Sequence, residues 1–183
     1  MGILLAFSPF IIFSLIDRLI GPTEGLVAGA LSSAALLARD WVTPGKVPKI
    51  LEIGTVILFG GLAIYTVTTG TTWSIVGVRL CVDTGLLLIV LSSVAIRNPF
   101  TLQYAREQVE AEFWNSPEFI RTNYVITCAW ALAFIILVIA DFVLLYMPEI
   151  SPLLGIFATI FALVAAIKFT SWYPKRRRSE RGG

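Results

Sequence analysis

Histidine is absent from this chain of 183 residues, cysteine occurs only twice, and charged side chains make up 14% of it. Without imidazole the chain lacks the usual metal ligand, haem ligand and proton shuttle near neutral pH, which excludes a bis-histidine haem anchor and a histidine-based metalloenzyme. Cys81 and Cys128 lie in separate apolar runs far apart in sequence, so neither a disulfide framework nor a thiolate metal site is indicated, and both read as small packing residues. The scarcity of charge is matched by a hydrophobic fraction of 57% and a mean hydropathy of +0.84, against roughly 45–50% apolar and roughly 25% charged residues in a soluble domain. A soluble globule of this size keeps about a third of its unfolded surface exposed, and too few polar residues are present to cover it. The chain reads as an integral membrane protein.

A bilayer core about 30 Å thick needs about 20 apolar residues in a helix. Six runs meet or approach that length, at 3–20, 25–42, 50–68, 74–96, 124–147 and 153–173. Asp17 and Arg18 shorten the first, which lacks the basic flank and cleavage site of a signal peptide and reads as a retained helix. Gly21-Pro22, Pro44-Gly45, Gly70, Asn98-Pro99 and Pro148 with Pro152 fall between the runs, where glycine and proline punctuate helices. The expected fold is all-α and polytopic: six transmembrane helices in three antiparallel hairpins forming one domain over 1–174, with a basic tail over 175–183.

Cytoplasmic loops carry the excess of Lys and Arg. With the N-terminus inside, twelve of the 14 cations fall on the inner side and only Arg18 and Arg79 on the outer. Both termini are therefore expected in the cytoplasm. The net charge of +2 then divides into about −3 outside and +5 inside.

Charges within the runs are the most informative residues, because each costs about 2.5–3.5 kcal/mol at the bilayer centre. Arg79 and Asp83 are spaced i, i+4 and share a helix face. Asp83 lies about 14 Å from the outer end of the fourth run and Asp141 about 9 Å from that of the fifth. With Asp17 and Arg18 they form a candidate polar cluster for an ion or substrate in the outer half of the membrane. One reading is a vestibule in which Arg79 holds an anion or Asp83 exchanges a proton; the other is mutual neutralisation that pins helices together. The inner half offers only Ser32, Ser33, Ser92, Ser93 and Thr127, which can bond to their own helix backbones. Facing helices show no nucleophile and base, so catalysis, a cofactor and a metal are not expected.

Gly25, Gly29 and Ser33, and the pair Gly60 and Gly61, predict close helix approach, within the chain or across a homodimer. The long connection from Asn98 to Phe119 predicts an interfacial amphipathic helix over 99–113. Asn98 would be its N-cap and Pro99 its first residue, with Leu102, Ala105, Val109 and Phe113 on one face and Trp114 as membrane anchor. Its Glu107, Glu110 and Glu112 argue against polybasic lipid sensing, leaving docking against the bundle or partner recruitment. Ser116 and Pro117 start the fifth helix in the same manner. The tail, Lys175 to Arg178 with Arg181, is a topology signal or an attractor of anionic lipid, and nucleic acid is not an expected partner.

Several short pieces resemble the bacterial intracellular septation protein A family of inner-membrane proteins. They are Ser8-Pro9-Phe10, Phe59-Gly60-Gly61-Leu62, Asn98-Pro99, Ala129-Trp130-Ala131 with Phe134, and Trp172-Tyr173-Pro174. Separately, Asn98-Pro99-Phe100-Thr101-Leu102-Gln103-Tyr104-Ala105-Arg106-Glu107 resembles a motif of six-helix bacterial membrane proteins of uncharacterised function, with Trp114 completing the interfacial segment. These likenesses imply a bacterial inner-membrane location and a non-enzymatic role in organising the envelope through the bilayer and other membrane proteins. A small dimeric transporter or channel built on the outer charges is the alternative. Neither likeness brings catalytic residues.

Overall fold

The computed structural model describes residues 2–147 and 149–179. Pro148, expected to punctuate two helices, and Arg181 of the basic tail lie outside the described residues. Among those described, every regular element is helical: α1 (Gly2–Ala6), α2 (Ser8–Leu19), α3 (Pro22–Val42), α4 (Ile50–Thr69), α5 (Ile75–Ala95), α6 (Phe100–Arg106), α7 (Pro117–Tyr146) and α8 (Pro152–Ser179), with a short 3₁₀ turn at Ala111–Phe113. Four of them, α4, α5, α7 and α8, are long and apolar enough to cross a membrane. They mark the chain as a multi-pass membrane protein.

Large apolar side chains remain on the outside of these helices. Leu153, Leu154, Phe157 and Phe161 of α8, and Leu132, Ile139 and Phe142 of α7, are exposed. Such a surface suits lipid tails and is unlike that of a water-soluble monomer.

The chain divides into two compact units, residues 1–89 and 90–183, with α5 running from the first into the second. In the first unit α2 packs against α3 and α3 against α4. Its core gathers Phe13, Leu26, Phe59, Ala63, Val78 and Val82. Phe59 is central, with the rings of Phe10 and Phe13 at 5.0 and 5.5 Å. Gly29 makes room for it, since a Cβ there would lie 2.7 Å from the Phe59 ring. Gly25 does the same for α2, since its Cβ would lie 3.0 Å from both the backbone N and the Cβ of Asp17. Close approach at Gly25 and Gly29 is thus as expected. The glycines that admit α4 to α5 were missed: a Cβ on Gly54 would lie 2.8 Å from the Ile89 side chain, and Gly85 receives Leu58. Gly60 and Gly61, expected at a close contact, have nothing within 4 Å of their Cβ positions. Phe59, one residue away, is the one turned into the core.

In the second unit α7 packs against α8 and α6 against α7. Trp130 is the largest fully buried side chain. It lies edge-on to Phe100 at 6.5 Å and next to Phe134 at 5.7 Å. Its indole N–H donates to Thr170 Oγ1 at 3.0 Å, tying α7 to α8.

Several expected boundaries change. The first run is not one helix but two, broken at Phe7, the residue before Ser8-Pro9. Pro9 has no N–H to continue a helix from α1, but it sits comfortably in the first turn of α2. The fifth helix begins at Pro117, seven residues before the apolar run, with Ser116 Oγ accepting from the Phe119 N–H at 3.3 Å. The sixth continues through the basic residues to Ser179.

The connection after α5 departs most from expectation. Arg97, at φ 59°, takes the left-handed conformation that ends the helix. Asn98 N–H donates to Ser93 O at 3.0 Å and Arg97 N–H to Val94 O at 3.0 Å, the two bonds of a Schellman motif. Asn98 is thereby used as a helix terminator and does not cap α6. Pro99 holds the N-cap position, and Ser93 Oγ accepts from the Phe100 N–H at 3.1 Å. The amphipathic helix spans seven residues, not 99–113. Trp114 Nε1–H donates to the carbonyls of Arg106 (3.1 Å) and Val109 (2.9 Å), folding the chain back in a turn after Arg106.

Candidate functional site

The candidate residues divide between the units. Asp17, Arg18, Arg79 and Asp83 belong to the first unit and Asp141 to the second. Asp17, near the C-terminal end of α2, is 2% exposed because α3 approaches so closely at Gly25. Neither of its carboxylate oxygens accepts a hydrogen bond among the described residues. The charges of Arg79 on α5 and of the neighbouring Arg18 act on it. Three of the expected groups are therefore brought into one electrostatic neighbourhood. Arg79 and Asp83 are half-buried one turn apart on α5, and Arg18 is exposed. Asp141 is buried in α7.

A second charged cluster lies at the opposite end of α3, and the sequence reading passed over it. Asp40 is in the last turn of α3, about 22 Å along the axis from Gly25. It is fully buried and surrounded by cations. Lys49 Nζ stands 2.5 Å from its Oδ2, and Arg39 and Lys46 stand 2.6 and 3.4 Å from its Oδ1. Lys49 is itself buried and lies 3.4 Å from Glu52 Oε1. Glu52 sits at the third position of α4, and its Oε2 accepts from the Lys49 backbone N–H at 3.5 Å. That contact is the carboxylate half of a capping box, and the carboxylate also suits the positive end of the helix dipole. Lysine has no acceptor, so the reciprocal half is missing. Thr55, one turn on, turns its hydroxyl to the Glu52 carbonyl at 2.9 Å.

This cluster closes the α3–α4 turn. Thr43, Pro44 and Gly45 end α3, with Gly45 at φ 81°, and Pro48 leads back into α4. The turn carries Lys46 and Lys49 over the buried carboxylates. Its signal in the sequence was Glu52, the single charge in an apolar helix that otherwise runs uninterrupted to Thr69. Asp40 and Lys49 flank a proline-containing turn and so resembled ordinary interfacial charges.

The interfacial motif is part of the interior of the second unit. Phe100, Thr101, Leu102 and Tyr104 are buried. Thr101 Oγ1 bonds to Thr127 Oγ1 at 2.7 Å and donates to the Asn123 carbonyl at 2.9 Å, attaching α6 to α7. Arg106 places its guanidinium 5.8 Å from the Trp114 ring centroid. Glu107 is exposed, as are Val109 and Phe113 of the expected apolar face. Trp114, expected as a membrane anchor, uses its indole N–H within the chain.

Among the described residues no three His, Cys, Asp or Glu side chains are grouped so as to hold a metal ion. No family model, curated protein or solved structure matches this chain.

Proposed function

We propose that this is a non-enzymatic bacterial inner-membrane protein that serves the cell envelope through contacts with lipids and other membrane proteins. The observation that carries this reading is the closed ion network of Asp40, Lys49 and Glu52 with Arg39 and Lys46. Each of its two buried carboxylates is met by a cation, and together they clamp consecutive helices. Six crossings complete the reading: α4, α5, α7 and α8, together with α3 and the α1–α2 segment, with both termini in the cytoplasm. α3, at 21 residues, is about 31 Å long and reaches across a bilayer core. α2 alone, at 12 residues, does not, so the first crossing needs the segment before it.

One observation favours a second reading. The buried Asp17 carboxylate, without a hydrogen-bond donor among the described residues and subject to the charges of Arg79 and Arg18, suits a small transporter in which the carboxylate takes up a proton or the arginines hold an anionic solute. The two readings separate experimentally. Under the first, a strain lacking the protein becomes sensitive to envelope stress, and the doubly neutral Arg79→Gln/Asp83→Asn variant restores resistance as well as the wild type. Proton or anion flux in reconstituted liposomes that disappears with Asp17→Asn or Asp83→Asn, in protein of unchanged helicity, establishes the second reading and removes the first.

A further inference from the structure

The C-terminal part of α8 carries a face that neither reading uses. Lys168, Ser171, Trp172 and Lys175 follow one another at intervals of three, one and three residues, so they line a single face over two helical turns. They border an open groove of about 610 Å³ whose remaining wall is mainly apolar, with Ala165 and Ile167 on the side toward the middle of the helix. Lys168 and Lys175 are exposed, and Trp172 is 48% exposed. The Arg176 guanidinium stands 5.1 Å from the Trp172 ring centroid. α8 contains no Asp or Glu to balance these cations.

Depth along the helix identifies the ligand. Measured from Pro152, Lys168 lies about 24 Å and Lys175 about 35 Å along the axis, so they bracket the end of a hydrocarbon core about 30 Å thick. Trp172 and Tyr173 then lie at the level where aromatic residues gather. Lys168 starts within the apolar zone and reaches the headgroup layer only by extending its ammonium along the helix past Ser171. A cationic rim with a hydroxyl and an indole, above an apolar floor at acyl-chain depth, complements one kind of molecule.

We propose that this face binds an anionic phospholipid, its phosphate held by Lys168 and Lys175 and by Ser171 once that hydroxyl leaves the Ile167 carbonyl, to which it donates at 3.4 Å, and its acyl chain lying along Ala165 and Ile167. The assignment rests on α8 crossing the membrane. A soluble acidic peptide fits less well, because half of the groove lies at hydrocarbon depth.

The test uses the full chain, purified, delipidated and returned to nanodiscs or mixed micelles. Binding of phosphatidylglycerol and of phosphatidylcholine is measured by native mass spectrometry. A surface cation contributes to anionic-lipid binding an amount equal to about a fivefold change in affinity, so Lys168→Gln with Lys175→Gln lowers the phosphatidylglycerol affinity by about 25-fold and leaves phosphatidylcholine unaffected. Lys168→Arg with Lys175→Arg retains the preference, and Arg121→Gln, an exposed cation on α7, leaves it unchanged. An undiminished preference in the double glutamine variant overturns the proposal. So does an equal loss with Arg121→Gln, which would show general charge attraction, or displacement of the lipid by millimolar inorganic phosphate, which would show a site for the free ion.

A second measurement needs no charge variant. The difference in fluorescence quenching between the wild type and Trp172→Phe is expected to be larger with brominated phosphatidylglycerol than with brominated phosphatidylcholine. Equal quenching by both overturns the lipid site while leaving α8 in the bilayer, and quenching by neither overturns the crossing and the site together.

Discussion

Replacing Lys49 by methionine tests whether the α3–α4 cluster is a clamp. The ammonium stands 2.5 Å from Asp40 and 3.4 Å from Glu52, with all three groups buried. At an effective dielectric constant near 20 these attractions are worth about 7 and about 5 kcal/mol before desolvation is subtracted. Desolvation removes most of that gain, and the measured cost of deleting one member of a buried ionic group is about 3–5 kcal/mol, because the remaining charge is stranded. Asp40 keeps Arg39 and Lys46 after the substitution. Glu52 loses the Lys49 ammonium while staying buried, so the larger share of the penalty falls there. For a chain of this length Lys49→Met should lower the melting temperature by roughly 6–20 °C, read by tryptophan fluorescence in detergent. The triple variant Asp40→Asn/Lys49→Met/Glu52→Gln leaves no buried charge, since Arg39 and Lys46 remain partly open to water, and should melt well above the single variant. A single variant within about 2 °C of the wild type would refute the clamp. A triple variant less stable than the single one would refute the account of where the penalty arises.

Two further substitutions probe backbone and packing. Gly29→Ala places a Cβ 2.7 Å from the Phe59 ring and should destabilise the first unit by about 1–3 kcal/mol, whereas Gly61→Ala meets nothing within 4 Å and should be neutral or slightly stabilising. Thermal melts of the two single variants check the contrast, and equal destabilisation by both would contradict the packing described. Arg97→Gly relieves a non-glycine residue held at φ 59° and should stabilise the end of α5 by about 1 kcal/mol. A melting temperature at or below that of the wild type would refute the strain assigned to Arg97.

The legibility of the sequence varied with the range of the interactions involved. Ser116 and Pro117 announced the start of α7 because a cap and a first-turn proline act within four residues. Gly70 likewise announced the end of α4, which it closes at φ 67° with its N–H on the Thr66 carbonyl. The Asn98-Pro99 signal had the same form as Ser116-Pro117 and a different outcome. Ser93, seven residues back on α5, takes the Phe100 N–H, and Asn98 is drawn into terminating α5. Gly25 and Gly29 met close neighbours while Gly60 and Gly61 did not, although all four read alike as small residues in apolar helices. Which face of a helix turns inward depends on the helices packed against it.

The membrane character of the chain was determined by composition, because a hydrophobic fraction of 57% with 14% charge leaves a small globule nothing with which to cover its surface. The exclusion of histidine chemistry and the approximate positions of the long apolar helices were fixed at that level too, since each depends on residue type and run length. Tertiary structure decided the roles of the few charges. Asp17 lost its hydration because Gly25 lets α3 approach it, and Asp40, Lys49 and Glu52 became a buried network because a seven-residue turn brings α3 back against α4. Desolvation depends on what packs around a group, and residues that are neighbours only in space carry no mark of it in the order of the chain.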